Sequence, residues 1–288
     1  MKKIISILLV FIMIFSFVGC SNISIDEKIL YTSNSSIKGF VPSEDTLTID
    51  TYPNKYVVNV EHGIQKFSST YYILPNDVSS TNFVWTNIKE ITSSDILETI
   101  SESKKLIINY INESSILKDK EILISYINNL PVKSANYPNN SLIASFDPKL
   151  DIVFVNIKTN LVDTHTIVHE LFHALASKTR GNSKWYEYTT TLFDEAFTEV
   201  LASSVIKPKY PTTYSNYTRY IYHFIGIIGL EAISSYFYGL DELQISPVEF
   251  HLYTISVNCL DECKTEEEIK GEKSFIHLLL SKWKLEKH

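Results

Sequence analysis

The chain has 288 residues, 44% of them hydrophobic, so it can bury the core of one large domain or two small ones, and intrinsic disorder is not expected. Its formal net charge at pH 7 is −7 and it contains no long basic run, which argues against nucleic acid as a partner.

The first twenty residues have the pattern of an export signal. Lys2 and Lys3 precede an apolar run, 4–18, that is too short for a comfortable membrane span. The sequence Phe-Val-Gly-Cys at 17–20 resembles the lipobox of bacterial lipoproteins. The resemblance implies a signal peptide at 1–19, acylation of Cys20 and a lipoprotein anchored by lipid to the outer face of a bacterial cell membrane. An ordinary secretory signal with an incidental Cys20 is the alternative.

After the signal, a polar segment precedes a region with the alternation of β-strands. Residues 20–45 are polar and lack a period, which predicts a tether. Apolar alternation then predicts three strands of a small N-terminal sheet, at 46–50, 55–61 and 64–74.

Helices dominate the remainder. Apolar residues at helical spacing predict helices over 95–111 and 118–130, followed by a turn-rich segment, 130–141. A β-hairpin, 142–146 with 151–156, is predicted next, and everything after residue 163 is predicted to be helical. We therefore expect an α+β, mainly helical protein with one domain over 46–288.

One predicted helix carries the sequence His-Glu-Leu-Phe-His at 169–173. His169 and His173 are four residues apart and therefore lie on one face of the helix, where both imidazoles can bind one Zn²⁺. Glu170 would then lie beside the metal and hold a water. The alternative is an amphipathic helix whose histidines are merely hydrogen-bonded.

A second predicted helix carries two acids one turn apart. Glu195, 21 residues after His173, can reach the same zinc from a neighbouring helix and leave the fourth position for water. Glu199 can accept the Nδ1–H of a ligand histidine and fix its orientation. The alternative is a solvated acidic edge.

Together, H-E-x-x-H and the run Asp-Glu-Ala-Phe-Thr-Glu at 194–199 resemble the gluzincin zinc metallopeptidases, including the thermolysin-like group. The resemblance covers about 164–199. It implies a zincin-like fold, one Zn²⁺ held by His169, His173 and Glu195, a polypeptide substrate, and Glu170 as the general base. It also implies a tyrosine that stabilises the oxyanion, for which we select Tyr188.

Several positions keep more than one interpretation. Tyr186, Tyr220 and His223 are alternatives to Tyr188 as the oxyanion donor. His165, one turn before His169, is interpreted as exposed or as a support for a ligand, with direct metal binding as the alternative.

Two features outside the predicted site are also open. Cys259 and Cys263 can form a disulfide, bind a metal or stay reduced. The strand 151–156 is the candidate sheet edge for an extended peptide, with an interior strand as the alternative.

The leading hypothesis is thus a membrane-anchored zinc endopeptidase acting outside the cytoplasm. A catalytically inactive zincin-like lipoprotein that binds a peptide or partner is the second hypothesis. A substrate-binding or adhesive lipoprotein with an accidental histidine row is the third.

Overall fold

The computed structural model describes residues 30–33, 45–52, 55–62, 65–72, 85–137, 142–159, 161–180, 185–209, 212, 214–262 and 266–286. The fold is α+β and mainly helical, which confirms the predicted class. The described residues fall into two compact units: the first lies within 81–177 and 202–210, and the second within 24–80, 178–201 and 211–288. The single domain over 46–288 stays a prediction. The signal peptide 1–19 and the lipidation residue Cys20 lie outside the described residues.

The second unit contains a four-stranded antiparallel sheet in the order β1-β4-β3-β2. Its strands are β1 Leu30–Ser33, β2 Asp45–Tyr52, β3 Lys55–His62 and β4 Gln65–Tyr72. Tyr56 and Val58 are buried and alternate with half-buried neighbours, the period of two that the sequence predicted. Strand β1 lies within the predicted tether 20–45. Its four residues pair with β4, so this part of the predicted tether belongs to the sheet.

The first unit contains a mixed four-stranded sheet in the order β5-β6-β8-β7. Its strands are β5 Thr86–Lys89, β6 Val132–Asn136, β7 Ala144–Asp147 and β8 Ile152–Val155. The predicted hairpin β7–β8 is confirmed, whereas strand β6 lies where turns were expected. Strand β6 pairs in parallel with β8, a non-local pairing that local turn signals do not reveal.

The predicted sheet edge was wrong. Strand β8 lies between β6 and β7, so it is an interior strand. Its residues 153–155 are buried, which explains its unbroken apolar sequence. Within the described residues, β7 is the edge strand on that side of the sheet.

Two helices of the first unit confirm their predictions. Helix α1, Ser94–Glu113, buries residues at helical spacing, namely Ile100, Ser103, Ile107 and Ile111. Helix α2, Lys120–Asn129, ends where Lys104 Nζ donates to the carbonyl oxygens of Asn128 and Leu130, at 2.9 and 2.8 Å. The lysine thus caps the C-terminus of α2.

Three helices carry the predicted site residues: α3 Thr164–Arg180, α4 Trp185–Tyr188 and α5 Thr191–Val205. Asp163 caps α3, because its Oδ1 accepts the N–H of Thr166 at 2.8 Å. Every residue of α3 from 167 to 176 is buried, so the charged and imidazole groups in that stretch are buried with it.

Four further helices complete the second unit: α6 Ser215–Ile228, α7 Leu230–Phe237, α8 Pro247–Glu262 and α9 Glu266–Glu286. Gly229 separates α6 from α7 at a φ of 95°, a conformation that favours glycine. Helix α8 begins at Pro247, directly after Ser246, and proline is favoured at the first position of a helix. The fully buried aromatic residues of this unit include Trp185, Phe193, Phe224, Phe237, Tyr253 and Trp283. Among the described helices, none is long and apolar enough to cross a membrane.

Candidate metal centre

Two imidazoles converge on one face of α3. The Nε2 atoms of His169 and His173 are 3.2 Å apart, and their ring centroids are 5.0 Å apart. Both residues are buried. The spacing of four residues therefore brings the two rings together, as the sequence predicted.

A carboxylate completes the group. His169, His173 and Glu195 each offer one ligand atom, and these atoms all lie within 4.8 Å of one another. Glu195 is 1% exposed and Glu199 is 3% exposed, so the interpretation of these acids as a solvated edge is wrong. The structure brings together the three predicted ligands in a buried cluster that can hold a metal ion.

The donor set fits zinc. Zn²⁺ bound tetrahedrally at about 2.0–2.2 Å from nitrogen and oxygen requires ligand atoms roughly 3.3–3.5 Å apart. The two nitrogens already have nearly that separation, at 3.2 Å. A cation between them also compensates the cost of burying the Glu195 carboxylate.

Glu170 is buried, and its carboxylate points at the edge strand β7. Its Oε2 accepts the main-chain N–H of Phe146 at 2.8 Å. The main-chain N–H of Asn156 on the neighbouring chain segment donates to Ile143 O, at 2.7 Å. Because main-chain groups alternate in direction along an antiparallel strand, the N–H groups of Ala144 and Phe146 point away from β8. Glu170 thus accepts the outward N–H of Phe146 on β7.

A buried ion pair lies directly beside the ligand Glu195. Asp194 Oδ1 accepts Arg180 Nη2 at 3.0 Å and Trp185 Nε1 at 2.7 Å. Sequence reasoning missed this network. The only signal in the sequence was that Asp194 directly precedes Glu195.

Two residues predicted to support the metal ligands, Glu199 and His165, are both buried. Glu199 lies one turn after Glu195 and is buried, and its hydrogen bond to a ligand histidine stays a prediction. His165 is 3% exposed, so the interpretation of this residue as exposed was wrong. Its Nε2 lies 3.4 Å from Ser203 Oγ on α5.

Tyr188 is the predicted oxyanion donor. It ends helix α4, its side chain is half-buried, and its ring packs edge-on against His251, with centroids 6.1 Å apart. The Nδ1 of His251 is 2.9 Å from the hydroxyl of Tyr56. His251 thus joins α8 to strand β3 and packs against the Tyr188 ring.

The alternatives to Tyr188 have different environments. Tyr220 is buried, and its hydroxyl accepts Arg219 Nη2 at 2.7 Å. His223 is exposed on α6, and its ring lies 6.3 Å from that of His277, also exposed, on α9. The side chain of Tyr186 lies outside the described part of the chain. Cys263 does so as well, whereas Cys259 is buried, so the three alternatives for this pair stay open.

Comparisons of the chain with models of protein families, with curated proteins and with solved structures found no match. The functional conclusion therefore depends on the residues of this chain alone.

Proposed function

We propose that this protein is a zinc-dependent metallopeptidase with a zincin-like fold, and that it cleaves within polypeptide chains. The observation that carries the proposal is the convergence of His169, His173 and Glu195 in a buried cluster, with Glu170 next to one of the ligands. Three protein ligands are the number found in catalytic zinc sites, where the fourth position stays open. Structural zinc sites normally use four protein ligands.

The chain supplies the groups that peptide hydrolysis needs. A zinc ion held by these ligands would be a Lewis acid that lowers the pKa of a bound water toward about 7. The Glu170 carboxylate accepts the proton from the attacking water and then passes it to the leaving amine. The hydrogen bond from Phe146 holds one oxygen of that carboxylate in place. Tyr188 donates to the oxyanion that develops on the scissile carbonyl.

A polypeptide is the substrate that the neighbouring strand favours. As the edge strand of the described sheet, β7 could accept an extended peptide as an added strand. Glu170 is bonded to Phe146, so the same strand that would pair with the peptide also holds the general base. The scissile bond would therefore lie beside Phe146.

The proposal extends to the location of the enzyme. The lipobox-like sequence that ends in Cys20 supports a bacterial lipoprotein anchored to the outer face of the cell membrane. Its substrates would then be extracellular or envelope polypeptides.

The second candidate is an inactive zincin-like lipoprotein that binds a peptide or partner along β7. An edge strand would serve the binding of a peptide without cleavage as well as with it. The two functions differ in the role of Glu170: hydrolysis requires its carboxylate as a base, whereas in a binding module the carboxylate would only hold the Phe146 N–H.

The test combines elemental analysis with peptide cleavage. We expect the purified protein to contain one zinc per chain and to cleave members of a peptide library. The Glu170→Ala variant should keep its zinc and lose cleavage. Cleavage by this variant at the parent's rate would refute the mechanism, and a zinc-bearing parent that cleaves nothing would favour the binding module. A protein that binds no zinc would refute both.

A further inference from the structure

A single guanidinium connects four segments of the second unit. Arg180, the last residue of α3, donates from Nη2 to Asp194 Oδ1 at 3.0 Å and from Nε to Phe237 O at 2.6 Å. Its guanidinium carbon lies 4.1 Å from the centroid of the Phe237 ring. Trp185 on α4 donates from Nε1 to the same Asp194 oxygen, at 2.7 Å. The ends of α3 and α7, helix α4 and the first turn of α5 are thereby joined.

Burying the Arg180–Asp194 ion pair carries a large desolvation cost, so the pair contributes little net stability. The side chains of Arg180 and Asp194 are 3% and 5% exposed, so both charges have lost most of their hydration. Replacing such buried pairs by apolar residues is often neutral or stabilising, because attraction barely repays desolvation. A positional role therefore accounts for the pair better than a purely energetic one.

The position of the network relative to the metal ligands indicates that role. Asp194 immediately precedes Glu195, so restraining its carboxylate restrains the first turn of α5 about its axis. Arg180 follows His173 by seven residues, which is about two turns, so the two side chains leave α3 on nearly the same face. One end of the network is thus tied to the helix of the ligand histidines and the other to the helix of Glu195.

We propose that Arg180 and Trp185 are positioning residues which, through Asp194, aim the Glu195 carboxylate at the metal position before any metal binds. This inference rests on the proposed zinc site. It adds that the network holds Glu195 in the orientation for metal binding in the metal-free protein. Zinc would then bind without the cost of ordering α5, which is the benefit of preorganisation.

The second unit offers a matched control network. Glu249 on α8 accepts Trp283 Nε1 at 2.8 Å and forms a salt bridge with Lys282, so it also combines a tryptophan N–H with a cation. Trp185 and Trp283 are both fully buried among aromatic residues. No member of the Glu249 network is next to a predicted metal ligand in the sequence.

The experiment compares Trp185→Phe with Trp283→Phe in the full chain. Each variant removes one N–H donor and part of one buried ring, so the melting temperature of the metal-free protein should fall in both. Zinc affinity is measured by competition with a chromophoric chelator, and ligand geometry by the visible spectrum of the cobalt-substituted protein. We expect Trp185→Phe to lose zinc affinity on the order of 10-fold and to change the cobalt spectrum. Trp283→Phe should leave both unchanged.

Two outcomes would overturn the inference and are distinguishable. A parent that binds zinc tightly, with Trp185→Phe binding it equally well, would refute the positioning role and leave the proposed function intact. A parent that binds no zinc would refute the proposed function and the inference together. The pair Asp194→Asn and Glu249→Gln provides the same comparison if Trp185→Phe does not fold, with the same expected difference in zinc affinity.

Discussion

The carboxylate of Glu170 accepts a 2.8 Å hydrogen bond from the main-chain N–H of Phe146, and both residues are buried. The predicted general base is thus attached to the edge strand β7 as well as to the helix of the ligand histidines. The carboxylate therefore has a structural role, accepting this hydrogen bond, besides its proposed role as a base, and substitutions can distinguish the two.

Glu170→Gln and Glu170→Ala should therefore differ in stability but not in activity. Both remove the base, so kcat/KM should fall roughly 10²–10⁴-fold, while zinc is retained. Glutamine keeps an oxygen for the Phe146 N–H, whereas alanine leaves that buried donor unpaired and should cost about 1–3 kcal/mol of unfolding free energy. Thermal unfolding of the zinc-loaded proteins measures the difference. Equal melting temperatures for the two variants would show that the bond does not stabilise the fold.

Glu195 and Glu199 should respond differently to truncation. Glu195→Ala removes a ligand and should release zinc, whereas Glu199→Ala should weaken zinc binding only about 10–100-fold, because it supports a ligand. Chelator competition measures both affinities. The reverse order would exchange the roles of the two acids.

The three histidines of α3 should divide into two ligands and one supporting residue. His165 is buried with its Nε2 3.4 Å from Ser203 Oγ, and it is not a member of the metal-binding cluster. His165→Asn should therefore keep stoichiometric zinc, whereas His169→Asn should lose it. Zinc content after dialysis measures this. Loss of zinc from the His165 variant alone would transfer the ligand role to that residue.

A proline substitution in β7 tests the pairing of this strand with β8. The N–H of Ser145 points toward β8, so Ser145→Pro removes a hydrogen bond of the sheet and should lower the unfolding free energy by about 1–3 kcal/mol. Thermal unfolding measures the effect. An unchanged melting temperature for Ser145→Pro would show that this pairing does not stabilise the fold.

Tyr188→Phe tests the oxyanion donor. Loss of one such hydrogen bond lowers kcat by about 10²–10³-fold, and KM and zinc content should change little. Tyr220→Phe is the control, because its hydroxyl already accepts a hydrogen bond from Arg219. A loss of kcat in the control and not in Tyr188→Phe would assign the role to Tyr220.

The ligand spacing within each helix was determined by the sequence. Residues four apart on a helix share a face whatever the helix packs against, so His169 with His173, and Glu195 with Glu199, were predictable. The helices were equally predictable, because the apolar period and the caps are local signals. For the same reason the hairpin β7–β8 was recognised from its two strands and their turn.

Tertiary structure decided what depends on distant partners. Strand β6 pairs with β8, although β7 lies between them in the sequence. This pairing makes β8 an interior strand and β7 the edge strand of the described sheet. The bond between Glu170 and Phe146, 24 residues apart, and the network that joins Arg180 and Trp185 to Asp194 have no periodic signature. A hydrogen bond between distant residues depends on where separate elements pack, and packing is a property of the whole chain rather than of any local pattern.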